Sequence, residues 1–185
     1  MIWIGCERKT GLRRAFHGDT VQSDVVLAAT RCAKDQTMEK DIMIDLIREL
    51  IDLLSQDAID VAHIAARIGR VKADPGVPMP LDLLPQSPIL NSARLSRYPA
   101  SGLPYVLTLQ PKSAFRPAVA ALKAAFGPCS RALTGRGMPV EFVFDPAGSG
   151  RRWKVTMIAT LVRDAAKDED SLVSSIALRR DPVTQ

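Results

Sequence analysis

The sequence predicts an α+β fold: an N-terminal α-hairpin and one further helix packed on a three- to four-stranded, mainly antiparallel sheet. Three observations predict it. Residues 39–54 repeat large apolar side chains every three or four positions, the period of a helix with one buried face. Residues 140–144 and 153–161 alternate inward and outward side chains, the period of a strand. Residues 105–109 and 114–126 place a strand directly before a helix. Consecutive strands joined by short polar turns pair antiparallel. A sheet with one face covered by helices suits a domain in a chain of 185 residues.

Residues 1–37 show no sustained period and carry Gly5, Gly11 and Gly18. They read as a disordered tail. Met38-Glu39-Lys40-Asp41 opens the first helix and raises the alternative that translation begins at Met38. Ile4-Gly5-Cys6 looks like a lipoprotein signal, but only four apolar residues precede Cys6. A secretory signal needs an apolar run of about 7–15 residues. Cys6, Cys32 and Cys129 are too scattered for a disulfide framework or a zinc cluster, so the chain reads as cytoplasmic. No apolar run approaches the roughly 20 residues of a membrane span.

Residues 38–70 form the expected acidic hairpin. Met43, Leu46, Ile47, Leu50 and Leu54 line one face of its first helix, broad enough to serve both the core and a partner or second copy. Ser55 is read as the cap of a second helix over 56–68, with Val61, Ile64, Ala65 and Ile68 inward and Gly69 at its C-terminal end. Residues 71–104 hold seven of the thirteen prolines and read as a strap over the core, with a short helix at 92–96. Residues 105–180 then give a β-α-β-β-β core. Its strands are 105–109, 140–144, 153–161 and 172–178, and 129–138 is a loop. No internal repeat is legible by this route.

Charge narrows the function. The whole chain carries +5, with −3 over residues 38–70 and +6 over residues 71–185. Arg131, Arg136, Arg151, Arg152 and Lys154 cluster near two predicted turns and are candidates for phosphate or nucleic-acid contact. A solvated strand end is the favoured reading of them, because no second exposed aromatic accompanies Trp153 as a stacking platform. Val61 to Gly69 resembles the first half of a helix-turn-helix, but prolines follow where a recognition helix is required. Gly135-Arg136-Gly137 and Gly148-Ser149-Gly150 precede strands, so they read as turns rather than phosphate loops. His17 and His63 are the two histidines, and nothing sets a cysteine or serine nucleophile beside either.

No catalytic residue, cofactor or metal is implied, and the balance is against an enzyme. The leading expectation is a non-enzymatic protein-interaction module whose partner the sequence does not name. Nucleic-acid binding through the Arg/Lys loops is the second. A small enzyme with its site under the proline-rich strap is the third.

Overall fold

A computed structural model describes residues 42–72, 80–98, 103–132, 138–146, 152–162 and 170–183. The expected tail over 1–37 and the alternative start at Met38 lie outside the described residues.

The sheet has eight strands, not three or four. They are β1 (Gly69–Val71), β2 (Leu81–Pro85), β3 (Leu90–Arg97), β4 (Pro104–Pro111), β5 (Cys129–Arg131), β6 (Glu141–Phe144), β7 (Trp153–Leu161) and β8 (Val173–Pro182). The order across the sheet is β1-β2-β3-β4-β8-β7-β6-β5, and every pair is antiparallel. Among the described residues three helices accompany it: α1 over 42–54, α2 (Val61–Ile68) and α3 (Val119–Phe126).

The extra strands correct the strap. Pro85 closes β2, Pro104 and Pro111 bound β4, and Pro88 lies in the turn before β3. At these positions the missing N–H removes no interior ladder bond. Within β2, Leu83 is buried while Asp82 and Leu84 face out. A register shift between Leu90 and Ser92 breaks the alternation of β3, which hid that strand. Residues 92–96, expected as a short helix, are the middle of β3. Three-residue strands β1 and β5 are too short to announce themselves by period.

The helix expectations shift as well. Ser55 does not cap α2; its hydroxyl donates back to the Ile51 carbonyl. Asp60 is the cap, accepting from the His63 backbone N–H. Pro117 confines α3 to its last eight residues, after a single 3-10 turn over Ser113–Phe115. The two N-terminal helices do not form the expected α-hairpin, because α1 lies between α2 and α3. Glu49, Asp52 and Leu53 of α1 face His63, Ala66 and Arg67 of α2. Ile44, Asp45 and Arg48 face Ala121, Ala124 and Ala125 of α3 on the other side.

This layer covers one face of the sheet. Met43, Ile47, Leu50 and Leu54 of α1 join Ile64, Ile68 and Leu122 over Leu83, Leu95, Leu107, Leu109, Phe144, Met157, Ile176 and Leu178. Leu107, Leu122, Phe142 and Phe144 are buried, and Phe126 and Trp153 are half-buried.

The topology contains a repeat that the sequence reading did not resolve. A helix followed by a four-stranded antiparallel meander occurs twice, α2-β1-β2-β3-β4 and α3-β5-β6-β7-β8. The two meanders join through their last strands, β4 and β8, which pair antiparallel. The sequence echoes it. Val61-Ala62-His63-Ile64-Ala65-Ala66-Arg67-Ile68-Gly69 parallels Val119-Ala120-Ala121-Leu122-Lys123-Ala124-Ala125-Phe126-Gly127. Met79-Pro80-Leu81-Asp82-Leu83-Leu84 parallels Met138-Pro139-Val140-Glu141-Phe142-Val143. In both copies the glycine ends the helix at positive φ, and its N–H returns to the carbonyl four residues back.

Candidate interaction surface

Strand alternation sorts the sheet into two chemistries. The odd-numbered positions of β4 and β7 and the even-numbered positions of β8 point under the helices. The intervening positions point to the opposite face, where Thr108, Val143, Ile158 and Ala177 are half-buried and Thr156 is buried. Register sets the outward residues in rows. One row runs Asp82–Arg94–Thr108–Ala177–Ile158–Val143 across six strands. A second runs Ser92–Gln110 on one half and Ser175–Thr160–Glu141 on the other. A third runs Ser96–Val106–Arg179–Thr156. The middle of this face is therefore β-branched, small or hydroxyl-bearing.

Charge sits around that middle in pairs. Arg94 Nε donates to Asp82 Oδ1 at 2.8 Å, Arg179 Nε to Asp181 Oδ2 at 2.7 Å, and Lys154 Nζ to Asp145 Oδ2 at 2.6 Å. The Arg94 hydrogen bond holds the Asp82 carboxyl below the usual aspartate range. Ser92 donates to the Gln110 side-chain oxygen at 2.8 Å. A shallow groove of about 520 Å³ runs along Asp82, Leu84, Ser92, Arg94, Thr108 and Gln110. Its polar groups satisfy one another instead of converging on a vacant centre, so it has the character of a surface and not of a catalytic pocket.

The expected partner face of α1 is placed elsewhere. Met43, Leu46, Ile47, Leu50 and Leu54 are 0–8% exposed inside the chain's own core. Of the basic set, Arg131 stands apart from Lys154. Arg131 lies opposite Phe142, which lies opposite Ala159, while Lys154 is five residues further along β7, about 17 Å at strand rise. Arg152 and Arg131 are exposed, and Lys154 is committed to Asp145. Arg136 and Arg151 lie outside the described residues. The helix-turn-helix look-alike is α2, and β1 follows it directly where a recognition helix would have to begin.

A second polar site was missed by sequence reasoning. Arg180 is fully buried on the core face. Its guanidinium lies 3.7 Å from the centre of the Trp153 ring, and Nη2 donates to the carbonyls of Gln56 at 2.6 Å and Asp57 at 3.4 Å. Nε and Nη1 reach no acceptor among the described residues. Burial lowers the Arg180 pKa and raises that of Tyr98, whose hydroxyl donates to the Arg180 carbonyl. Tyr98 also stacks at 4.6 Å on Tyr105. Alternation places Tyr105, Arg180 and Trp153 on one face at one sheet end, which was the readable signal. The arrangement ties the α1–α2 turn to the sheet.

A third site is the groove of about 540 Å³ between α1 and α2, lined by Glu49, Asp52, Gln56, His63 and Arg67. His63 Nδ1 is 2.7 Å from Asp60 Oδ1, and Arg67 pairs with Glu49. An Asp–His pair beside a groove resembles part of a catalytic dyad. Here the same carboxylate caps α2, and the ring is largely exposed, so helix capping accounts for the contact. Among the described residues no group of His, Cys, Asp and Glu could hold a metal ion, and no helix is long and apolar enough to cross a membrane.

Comparison with known protein families, with curated protein sequences and with solved structures finds no match in any of the three.

Proposed function

We propose that the chain is a non-enzymatic protein-interaction module, working in the cytoplasm, and that its working surface is the outer face of the eight-stranded sheet. One observation carries the reading. The row Thr108–Ala177–Ile158–Val143 spans four neighbouring strands with no charge in it, and none of the described helices covers it. A contiguous surface of this kind is the feature that marks protein contact sites. The rim of paired charges around it matches the polar rim of such contacts.

The same face argues against nucleic acid as the partner. Phosphate contact needs an excess of cations, and the matching of Arg94, Arg179 and Lys154 by aspartates leaves a small one at Arg70 and Lys72. The test immobilises the full chain and its Ile158→Glu variant and compares what each captures from an extract of the native host. Partners bound by the wild type should fall at least about tenfold on the variant, since a charge at the centre of a contact is poorly tolerated. Equal capture by both would remove the sheet face from consideration.

A further inference from the structure

We infer that the partner of this sheet face presents an acidic, extended peptide segment, and that the segment lies across β1–β4 in the groove beside Lys72, Ser92 and Gln110. The inference deepens the reading above and rests on the sheet face being the working surface.

Charge is unevenly divided between the two meanders. Alternation and register place Arg70, Lys72, Arg94 and Lys112 on the outer face of β1–β4, where Asp82 is the one carboxylate among the described residues. Arg97, past the register shift at the end of β3, could only add to the cations. On β5–β8 the same face carries Arg152, Lys154 and Arg179 against Glu141, Asp145 and Asp181, which balance. The excess of cations therefore lies on the first meander. Arg94 is hydrogen-bonded to Asp82, and the Lys72 charge acts on the same carboxylate; together they hold it below the usual aspartate range. One carboxylate cannot neutralise both, and Arg70 and Lys112 are exposed. An incoming carboxylate is drawn to this half of the face, and an incoming cation is repelled from it.

The groove of about 520 Å³ has the floor that a peptide backbone requires. Ser92 donates to the Gln110 side-chain oxygen, which leaves the Gln110 amide N–H groups and the Ser92 oxygen to meet backbone carbonyls and N–H groups. Leu84, 51% exposed on the groove wall, offers apolar contact to a side chain of the segment. Four strands at about 4.8 Å spacing make a crossing of roughly 15 Å, about five residues of extended chain. The groove reaches the uncharged row at Thr108, so the body of the partner can cover that row while its segment fills the groove. Nucleic acid fits less well. None of the lining residues is aromatic, so bases find no stacking surface, and Asp82 would face their phosphates.

The experiment is selection from a displayed library of random peptides about seven residues long, enough to cross four strands. It is run on the full-length wild type, Arg70→Gln/Lys72→Gln and Lys112→Gln, with circular dichroism on each to establish folding. The wild type should enrich peptides rich in Asp and Glu. Fluorescence anisotropy of the best of them should show binding weakened about tenfold in the double variant, roughly threefold per exposed charge. Raising salt from about 50 to 300 mM should weaken it as well. Should the double variant not fold, Lys112→Gln carries the comparison, with a loss of about threefold. Enrichment of neutral or basic peptides, or of none, overturns the inference, as does an acidic peptide held equally by the wild type and the folded variants. A single-stranded RNA oligonucleotide that binds more tightly than the acidic peptides overturns it in favour of nucleic acid. The sheet-face reading is tested apart from it. If no acidic peptide is enriched while Ile158→Glu still abolishes capture of a host protein, the acidic segment is overturned and the face remains the working surface. If no acidic peptide is enriched and Ile158→Glu captures as the wild type does, both readings fall.

Discussion

Tyr98 donates its hydroxyl to the backbone carbonyl of Arg180 at 2.9 Å, across 82 residues of sequence. That bond fixes the chain leaving β3 against the far end of β8, and the Arg180 side chain fixes the α1–α2 turn in the same place. Among the described residues the guanidinium has no carboxylate partner, and burying it is costly, so the surrounding rings and carbonyls must offset its desolvation.

Trp153→Leu tests that balance. It removes the ring face beneath Arg180 and the contact with Tyr98. Urea unfolding should register a loss of about 2–4 kcal/mol, in the range of large-to-small core changes. Trp153→Phe, which retains a ring, should lose less than half as much. Equal losses would mean that the aromatic face contributes nothing beyond volume.

The α1 stripe gives a contrast in kind. Leu50 is fully buried, whereas Asp45 is largely exposed and pairs with Arg48 one turn on. Leu50→Asp should prevent folding, seen as loss of the cooperative thermal transition. Asp45→Asn should leave Tm within a few degrees, because an exposed pair of this spacing contributes about 0–1 kcal/mol. A folded, merely monomeric Leu50→Asp would return that stripe to the surface.

The two helix-ending glycines should differ sharply. A Cβ on Gly127, at φ +89°, meets nothing within 4 Å, so Gly127→Ala costs backbone strain of about 1–3 kcal/mol. A Cβ on Gly69, at φ +154°, would lie 1.9 Å from the Leu84 carbonyl oxygen. Gly69→Ala must also part β1 from β2 and should lose clearly more in the same denaturation assay. The reverse order would contradict the close approach of these strands.

Asp60 links α2 to pH. Its hydrogen bonds from the His63 backbone and ring hold its pKa below the ordinary aspartate value of 3.8. A lowered carboxylate contributes stability above its unfolded pKa and loses it as pH falls through the folded one. Asp60→Ala should therefore melt below wild type at pH 7, with the gap narrowing below about pH 4. A gap that widens on acidification would show that the carboxylate is not the capping form.

The strands with an unbroken period, 140–144 and 153–161, were legible because one face of each is buried and the other is not. The proline-bounded strands were not legible, since Pro85, Pro104 and Pro111 signal interruption while in fact lying at strand ends. Arg180 was passed over because a charge at an inward position contradicts the pattern, and the Trp153 ring and the turn carbonyls of Gln56 and Asp57 make it tolerable. The outer face held a readable clue. Val143 and Ile158 stand at positions of their strands that point to solvent, where charge would be ordinary. The repeat was hidden by divergence of its third strands, although Met79-Pro80 and Met138-Pro139 mark the same step in each half.

Joining the meanders through their last strands also orders the assembly of the chain in time. Hairpins such as β3–β4 and β7–β8 close over short connections, whereas Val106 meets Arg179 only by bringing together residues roughly seventy apart. The β3–β4 hairpin can therefore form early, and the β4–β8 contact, which unites the halves, forms late. Refolding should be paced by that union, and weakening it at Thr108 or Ala177 should slow refolding more than an equal loss placed inside β2 or β6.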